Sequence, residues 1–410
     1  MEQLRGNAFV GQSGGPTAAI NATLAGVIRG AMECDGVGKL YGAKNGIEGV
    51  LAKTFIDLSG MTEDELCLLE NTPAAALGSC RKKLPPDFEG ENRKIYDDIL
   101  AVFREYDIRY FFYIGGNDSM DTVAKLSRYT REVGYEMRVI GVPKTIDNDL
   151  AGTDHTPGFG SAAKYIAATM QEILRDTAVY TVKAVTIVEI MGRDAGWLTA
   201  AAALPSLYTN VSPDLVYLPE VPFDYDRFFE DVEKAFERHP NVVVAVSEGV
   251  RTADGRYVGE GTQSGAADAF GHKYLSGTGK ALELAVKEKF GCKVRSIELN
   301  LPQRCASHFA SKTDLDESVT IGRAAVWYAV SGETGKMMVF VRGKGDAYEI
   351  GVDSSDITGI ANVIRKVPRE YINERGNGVT PACLSYIAPL ILGEPTLVYE
   401  GGLPKHFSFK

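Results

Sequence analysis

Residues 143–149 read Pro143-Lys144-Thr145-Ile146-Asp147-Asn148-Asp149 and follow directly on a short apolar run, 138–142. A run of this length, carrying Gly141 and closed by Pro143, reads as a buried strand. Asp147 and Asp149 stand two apart, so on an extended segment both carboxylates point to the same side. Open α/β sheets bind their ligands at loops on the carboxyl ends of strands. There one carboxylate can take a proton from a substrate hydroxyl while the other holds a metal or fixes the first. Lys144 adds a cation and Thr145 a hydroxyl. Such a mixture suits phosphoryl chemistry, where positioning and charge neutralisation carry most of the catalysis. A polar loop that only caps the next helix would use the same residues, so the stretch decides nothing alone.

Working outward, the same grammar recurs twice upstream. Phe9-Val10 ends a first strand, and Gly11-Gln12-Ser13-Gly14-Gly15-Pro16-Thr17 leads into a helix expected over residues 18–32, with Ile20, Leu24, Val27, Ile28 and Met32 on one face. Strand, glycine turn and helix together aim backbone N–H groups at an anion. A second apolar run, 110–114, ends in Gly115-Gly116-Asn117-Asp118-Ser119, with a helix expected over 120–133 and Asp118 or Ser119 as its N-cap. Three such loops on parallel strands imply one shared crevice for a phosphate-bearing ligand. Leu77-Gly78-Ser79-Cys80-Arg81-Lys82-Lys83 offers three cations that would clamp phosphate if the turn folds beside these loops.

The second half keeps the rule that polar residues follow strands. After the break at Thr156-Pro157-Gly158-Phe159-Gly160, a helix is expected over 162–176 and a β-rich run over 182–190. The latter leads into Met191-Gly192-Arg193-Asp194-Ala195-Gly196-Trp197. Strands at 242–246 and 293–299 end in Ser247-Glu248-Gly249 and Pro302-Gln303-Arg304. Ser276-Gly277-Thr278-Gly279-Lys280 only imitates a Walker loop: Tyr274 stands where its first glycine belongs and Ala281 where Ser or Thr belongs. It reads as a helix start leading into 281–290. One more strand falls at 337–341, and an amphipathic helix is expected near 357–366. Strand and helix alternating over some 340 residues describe a doubly wound α/β architecture.

Composition narrows the classes. At 410 residues, two domains or one elaborated domain is expected. No run of about 18 uncharged apolar residues exists to span a membrane, and the start MEQLRGNAFV lacks a signal-peptide pattern. Six cysteines without a CxxC pair read as free thiols of a cytoplasmic protein. The formal charge of −10 argues against nucleic acid as partner. A phosphate site must therefore be a local basic pocket in an acidic chain.

With the loops laid out, the sequence resembles the phosphofructokinases, and more closely their pyrophosphate-dependent branch. The resemblance runs through GQSGGPTAAIN, LGSCR, GGNDS, PKTIDNDL, MGRDAGW, SEG and the segment from Arg295 to Gln303-Arg304, in order over residues from about 10 to 345. It implies two Rossmann-like domains with the active site in the cleft between them. Residues 1–158 with about 305–345 would form the phosphoryl-donor domain, and 159–304 with about 346–410 the sugar-phosphate domain. The implied reaction is reversible transfer from pyrophosphate to the 1-hydroxyl of fructose 6-phosphate, as in glycolysis and gluconeogenesis. Asp147 resembles the general base, flanked by Thr145 and Asp149. Met191, Gly192 and Arg193 match the sugar-binding loop, with Arg193 also stabilising the phosphoryl in flight. Glu248 matches the group that binds sugar hydroxyls, and Arg295 and Arg304 the arginines on the sugar 6-phosphate. In this family one such arginine comes from a neighbouring subunit, which implies a homodimer or homotetramer with a shared active site.

On the donor side the resemblance places pyrophosphate against Gly14, Gly15, Arg81, Asp118 and Lys144, with Mg²⁺ on Asn117. ATP-using relatives carry Gly where this chain has Asp118 and Gly where it has Lys144. A carboxylate at 118 would sit where the α-phosphate of ATP must lie, and like charges in a partly desolvated site exclude each other. Departures remain. Asn117 replaces a frequent Asp, leaving Asp118 as the nearest substitute metal ligand. Leu301 replaces His or Tyr, and Ala184 replaces an arginine, with Lys183 beside it as a stand-in. Those two acceptor-side changes leave sedoheptulose 7-phosphate open as acceptor, and an ATP-dependent 6-phosphofructokinase is the other alternative. A non-catalytic homologue would have lost Asp147 or both phosphate arginines, and a dinucleotide oxidoreductase would need GxGxxG, which GQSGGP is not.

Overall fold

The computed structural model describes residues 4–260, 277–345, 347–360 and 363–409. Ser276 of the Walker-like string therefore lies outside the described residues. In chain order the elements are β1 (Gly6–Gln12), α1 (Ile20–Met32), β2 (Val37–Ala43), α2 (Ile47–Leu51), β3 (Phe55–Asp57), α3 (Glu63–Glu70), α4 (Asn92–Glu105), β4 (Ile108–Gly115), α5 (Asn117–Glu132) and β5 (Arg138–Pro143). There follow α6 (Phe159–Thr177), β6 (Ala184–Ile190), α7 (Trp197–Ala201), β7 (Leu215–Tyr217), α8 (Tyr225–Phe236), β8 (Asn241–Ser247), α9 (Thr278–Phe290), β9 (Lys293–Glu298) and α10 (Pro302–Cys305). The last are α11 (Lys312–Val330), β10 (Lys336–Arg342), β11 (Ile350–Asp356) and α12 (Pro381–Ile387).

Two sheets organise these elements. The larger runs β11-β10-β5-β4-β1-β2-β3 and the smaller β7-β8-β6-β9. Central β4 shows why the first is doubly covered. Tyr110, Phe112 and Ile114 enter one core with α1 and α11, while Phe111 and Tyr113 enter the other with α4 and α5. Alternate residues of one strand thus feed two hydrophobic layers, as a parallel sheet buried on both faces requires. In β6, Val185 and Ile187 face one core and Val188 and Ile190 the other. The alternation read from the sequence is this doubly wound α/β arrangement.

Parallel register gathers the loops. Gln12 of β1 pairs with Ile114 of β4, and Gly115 pairs with Pro143 of β5, so the segments after all three strands leave from one edge. In the second sheet Ile190 pairs with Ser247, and Glu189 with Glu298, which brings the turns after β6, β8 and β9 together likewise.

Three expectations need correction. α5 begins at Asn117 with Gly116 at its cap, so neither Asp118 nor Ser119 caps it. Both lie inside the first turn, and Ser119 Oγ packs so close to Gly115 that an added Cβ there would come within 1.9 Å of it. The helix expected near 357–366 is, among the described residues, one 3₁₀ turn, Ile357–Gly359. Gly359 and the β-branched Ile357, Thr358, Val363 and Ile364 lower helix propensity there, and Ile364 instead bridges Leu150. Finally, the tail does not belong to one domain. β11 pairs with β10 in the first sheet, Cys383, Leu384 and Ile387 pack into the core around α6 and α7, and Phe407 and Phe409 return to the core of the first sheet.

α1 lies against α11 through glycines. A Cβ on Gly26 would stand 2.1 Å from the Val319 carbonyl oxygen, and one on Gly322 would stand 2.2 Å from that of Thr23. Backbone cannot move aside as a side chain can. Gly26→Ala should therefore lower stability by about 1–3 kcal/mol, read as a lower Tm, whereas the open Gly134→Asn, in a left-handed turn, should change it far less.

Candidate active site

The six loops converge on a cleft of 470 Å³ between the sheets. Gly14, Gly15, Arg81, Asn117, Asp118, Lys144, Thr145, Asp147 and Asp149 line it from the first sheet, and Met191, Arg193, Glu248 and Arg304 from the second. Gly192 supports the wall: its N–H donates to Glu248 Oε1 at 3.3 Å, and its carbonyl accepts from Ser247 Oγ at 2.5 Å.

The glycine loop is fixed before any ligand binds. Ser13 N–H donates to the Ile114 carbonyl at 2.9 Å, Gly14 N–H to that of Cys80 at 3.1 Å, and Lys144 N–H to that of Gly115 at 3.0 Å. Ser79 Oγ donates to the Gly14 carbonyl. The LGSCR turn is thus stitched to the Gly14 loop, and its arginine belongs to the cleft rather than to a solvated face. Gly14 has φ of 77°, the left-handed region that favours glycine.

Lys144 is the chemical centre. It is 2% exposed, and its ammonium donates to the Gly15 carbonyl. Burial brings its pKa down to about 8, opposed by Asp147 and aided by Arg304 and Arg81. Burial raises Asp147, with Arg193 and Lys144 holding it back. Asp149 is pushed up to about 7 by burial and then by the charge of Asp147. Glu248 rises to about 8 for the same two reasons. Burial and the neighbouring Arg81 lower Arg304. A carboxyl raised towards neutrality in a cleft is suited to accept a proton from a hydroxyl.

Asp118 lies in the first turn of α5, where a helix N-terminus favours negative charge, and pairs with Lys83 at 3.0 Å. Asn117 Nδ2 reaches Asp149 Oδ2 at 3.5 Å, while Asn117 Oδ1 is buried without a hydrogen-bond partner. Among the described residues no group of three or more acidic, His or Cys side chains converges to cage a metal.

Arg295 is not in this cleft. Partner to Thr186 in the ladder, it lines a separate depression with Asp176, Tyr180 and Lys293. The connection from α6 to β6 beside it exposes Val179, Tyr180 and Val182. Lys183, the stand-in beside Ala184, has its ammonium 5.0 Å over the Phe236 ring. Lys83 of the basic run lines the cleft with Arg81, and so do Asp194 and Ile364, to which the sequence reading gave no role. Asp194 stood next to Arg193 in the turn read from the sequence and was within reach of the pattern. Ile364 carried no signal.

Doubly wound domains that close polar loops around buried cations and paired carboxylates are the architecture of a phosphoryl-handling enzyme. The chain belongs to the phosphofructokinase family, whose model matches residues 7–328. It is 42% identical to the pyrophosphate–fructose 6-phosphate 1-phosphotransferase of Halomonas elongata, over 97% of this chain and 95% of the relative. A protein of the same name from Methylococcus capsulatus is 41% identical over 98% and 95%. The crystal structure of a pyrophosphate-dependent phosphofructokinase from Nitrosospira multiformis superposes with a TM-score of 0.88, at 38% identity, over 98% of this chain and 95% of that one.

The shifted groups set a pH signature. Asp149, protonated up to about 7 when folded but only to about 3.9 when unfolded, stabilises at low pH, and that contribution is lost as pH rises through 7. Lys144, lowered to about 8, makes the unfolded chain bind more protons between about 8 and 10.4, so its contribution improves across that interval. The ligand-free Tm should fall between pH 5 and 7, and Asp149→Asn should flatten that fall.

Proposed function

We propose that the protein catalyses reversible phosphoryl transfer from pyrophosphate to the 1-hydroxyl of fructose 6-phosphate, with Asp147 as general base. The observation that carries the donor assignment is the buried Lys144 ammonium on the Gly15 carbonyl, with Asp118 held by Lys83 across the same wall. The relatives' names agree with it.

In this reading the sugar hydroxyl gives its proton to the Asp147 carboxylate as its oxygen bonds to phosphorus. The bridging P–O bond of pyrophosphate breaks and inorganic phosphate leaves. Lys144 and Arg193 neutralise charge on the moving group, where preorganised cations in a water-poor site act most strongly. Arg81 and the Gly14-Gly15 backbone hold the leaving phosphate, and Arg304 the sugar phosphate, whose dianion suits a guanidinium fork. Thr145, Asp149, Met191, Gly192 and Glu248 bind and orient the sugar. The unpartnered Asn117 Oδ1 fits Mg²⁺, which takes few protein ligands and completes its shell with phosphate oxygens and water. Mg²⁺ would supply further charge neutralisation on pyrophosphate.

Arg295 belongs to a neighbouring copy's cleft in this reading, in a homodimer or homotetramer. Its place outside its own cleft, beside exposed Val179, Tyr180 and Val182, supports that.

Assays with Mg²⁺ and either pyrophosphate or ATP should give turnover of fructose 6-phosphate with pyrophosphate alone, and phosphate with fructose 1,6-bisphosphate should run it backwards. Faster turnover of sedoheptulose 7-phosphate would reassign the acceptor, and turnover with ATP only would overturn the donor. Asp147→Ala should lower kcat by about 10²–10⁴-fold with sugar-phosphate binding preserved by calorimetry. Asp118→Gly combined with Lys144→Gly should weaken pyrophosphate use and admit ATP.

A further inference from the structure

Residues 364–367, Ile364-Arg365-Lys366-Val367, lie beyond the 7–328 stretch that matches the family, yet they touch both halves of the cleft. On the first-sheet side Arg365 N–H donates to the Asp149 carbonyl at 2.7 Å. Its guanidinium reaches the Asn148 carbonyl at 3.5 Å and Tyr386 Oη at 3.2 Å. Asn148, between the two aspartates, is fully buried with φ of 54°. Its amide donates to the same Tyr386 hydroxyl at 3.0 Å and its Oδ1 accepts from Thr156 N–H at 3.1 Å. A non-glycine residue held left-handed between two functional residues needs its surroundings to hold it there.

On the second-sheet side Trp197 Nε1 donates to the Arg365 carbonyl at 3.0 Å, and the guanidinium lies 4.5 Å over the Trp197 ring. Two residues on, Val367 N–H donates to Glu220 Oε1 at 2.9 Å, and that oxygen also accepts from Gly196 N–H at 2.9 Å. Gly196 and Trp197 close the turn that carries Arg193. One short strap is therefore bonded at one end to the loop of Asp147 and at the other to the loop of Arg193.

We propose that Arg365 is a positioning residue that sets the separation of Asp147 and Arg193. The inference rests on the reading that these two groups face the transferred phosphoryl from opposite domains. Displacement of reacting groups by about 1 Å can cost about 10²-fold in rate. A stacked, forked guanidinium resists that displacement, because its donors stay in one plane while its face stays on the indole. Neither the donor nor the acceptor phosphate is assigned to the strap, so it should govern the rate and leave binding alone.

The chain's two tryptophans are Trp197 and Trp327, and Trp327→Phe isolates the emission of Trp197. In that background Arg365→Met should change the Trp197 emission as the cation leaves the ring. Its kcat should fall roughly 10- to 100-fold, with KM for pyrophosphate and for the sugar phosphate within about twofold and Tm nearly unchanged. Arg365→Lys should recover only part of kcat, since a lysine can stack but cannot donate from a planar fork. A changed emission with kcat within twofold of the parent would overturn the proposal. So would a fall in kcat accompanied by a matching loss of Tm and rising KM values, which marks a merely structural role. A parent enzyme idle with pyrophosphate would sink the underlying reading and the proposal with it, and is seen before any Arg365 variant is made.

Discussion

An ammonium group cannot leave water without compensation, and in this protein that constraint falls on Lys144. A charge in the interior must be paired or deprotonated. The Gly15 carbonyl, Asp147 and Asp149 supply the compensation, and they are where they are because three parallel strands end side by side. The dependence is mutual. Lys144 and Arg193 are what keep Asp147 from being pushed still further towards its neutral form. The glycine loop serves the same constraint through its backbone: Gly14, in the left-handed region, turns the chain so that the Gly15 carbonyl meets the ammonium. The cleft is thus a set of like and unlike charges balanced in advance of a polyanionic ligand, and bringing such a ligand in relieves the crowding of Lys144, Arg81 and Arg304.

Much of this was legible because parallel strands buried on both faces leave a plain trace: an apolar run followed at once by glycine and polar residues. Residues 110–114 and 138–142 showed it, and the loops behind them carry the chemistry. What stayed hidden depends on contacts far apart in the chain. Nothing near Ile364 announces that it will lie over Leu150 and border the cleft. Ile357, Ile360, Val363 and Ile364 mimic a helical face in the sequence, whereas Ile357 opens a 3₁₀ turn and Ile364 bridges Leu150. Arg295 has the right spacing from Arg304, but its strand carries it to the opposite end of the ladder from the cleft. The start of α5 was misplaced by the strong capping preference of Asp and Ser: the helix begins at Asn117, so both lie inside its first turn, behind an extended Gly116.

In the proposed reading, donor choice and acceptor choice are built from different materials. On the donor side it is charge: Asp118 tied to Lys83, and Lys144 buried. On the acceptor side the charge of Arg304 is joined by shape and hydrogen bonding, set by turns that hold one another. Gln303 Oε1 accepts from Met191 N–H at 3.1 Å, and a Cβ on Gly249 would stand 2.0 Å from the Arg193 carbonyl oxygen. Salt screens the charge contacts on either side and leaves the packing of these turns untouched.

The order of strands in the larger sheet has a consequence for how the chain comes into being. β5 pairs on one side with β4 and on the other with β10, whose residues Lys336 and Met337 meet Ile140 and Gly141. Between these partners the chain makes the whole smaller sheet, which is continuous in sequence from β6 to β9. During synthesis the second sheet is therefore complete while the first still presents the unpaired edge of β5. An unpaired edge is a template for wrong partners. The nascent protein thus spends nearly two hundred residues of elongation with the strand beneath the Lys144–Asp149 loop uncovered, and β10 with β11 acts as the closing stave of the molecule.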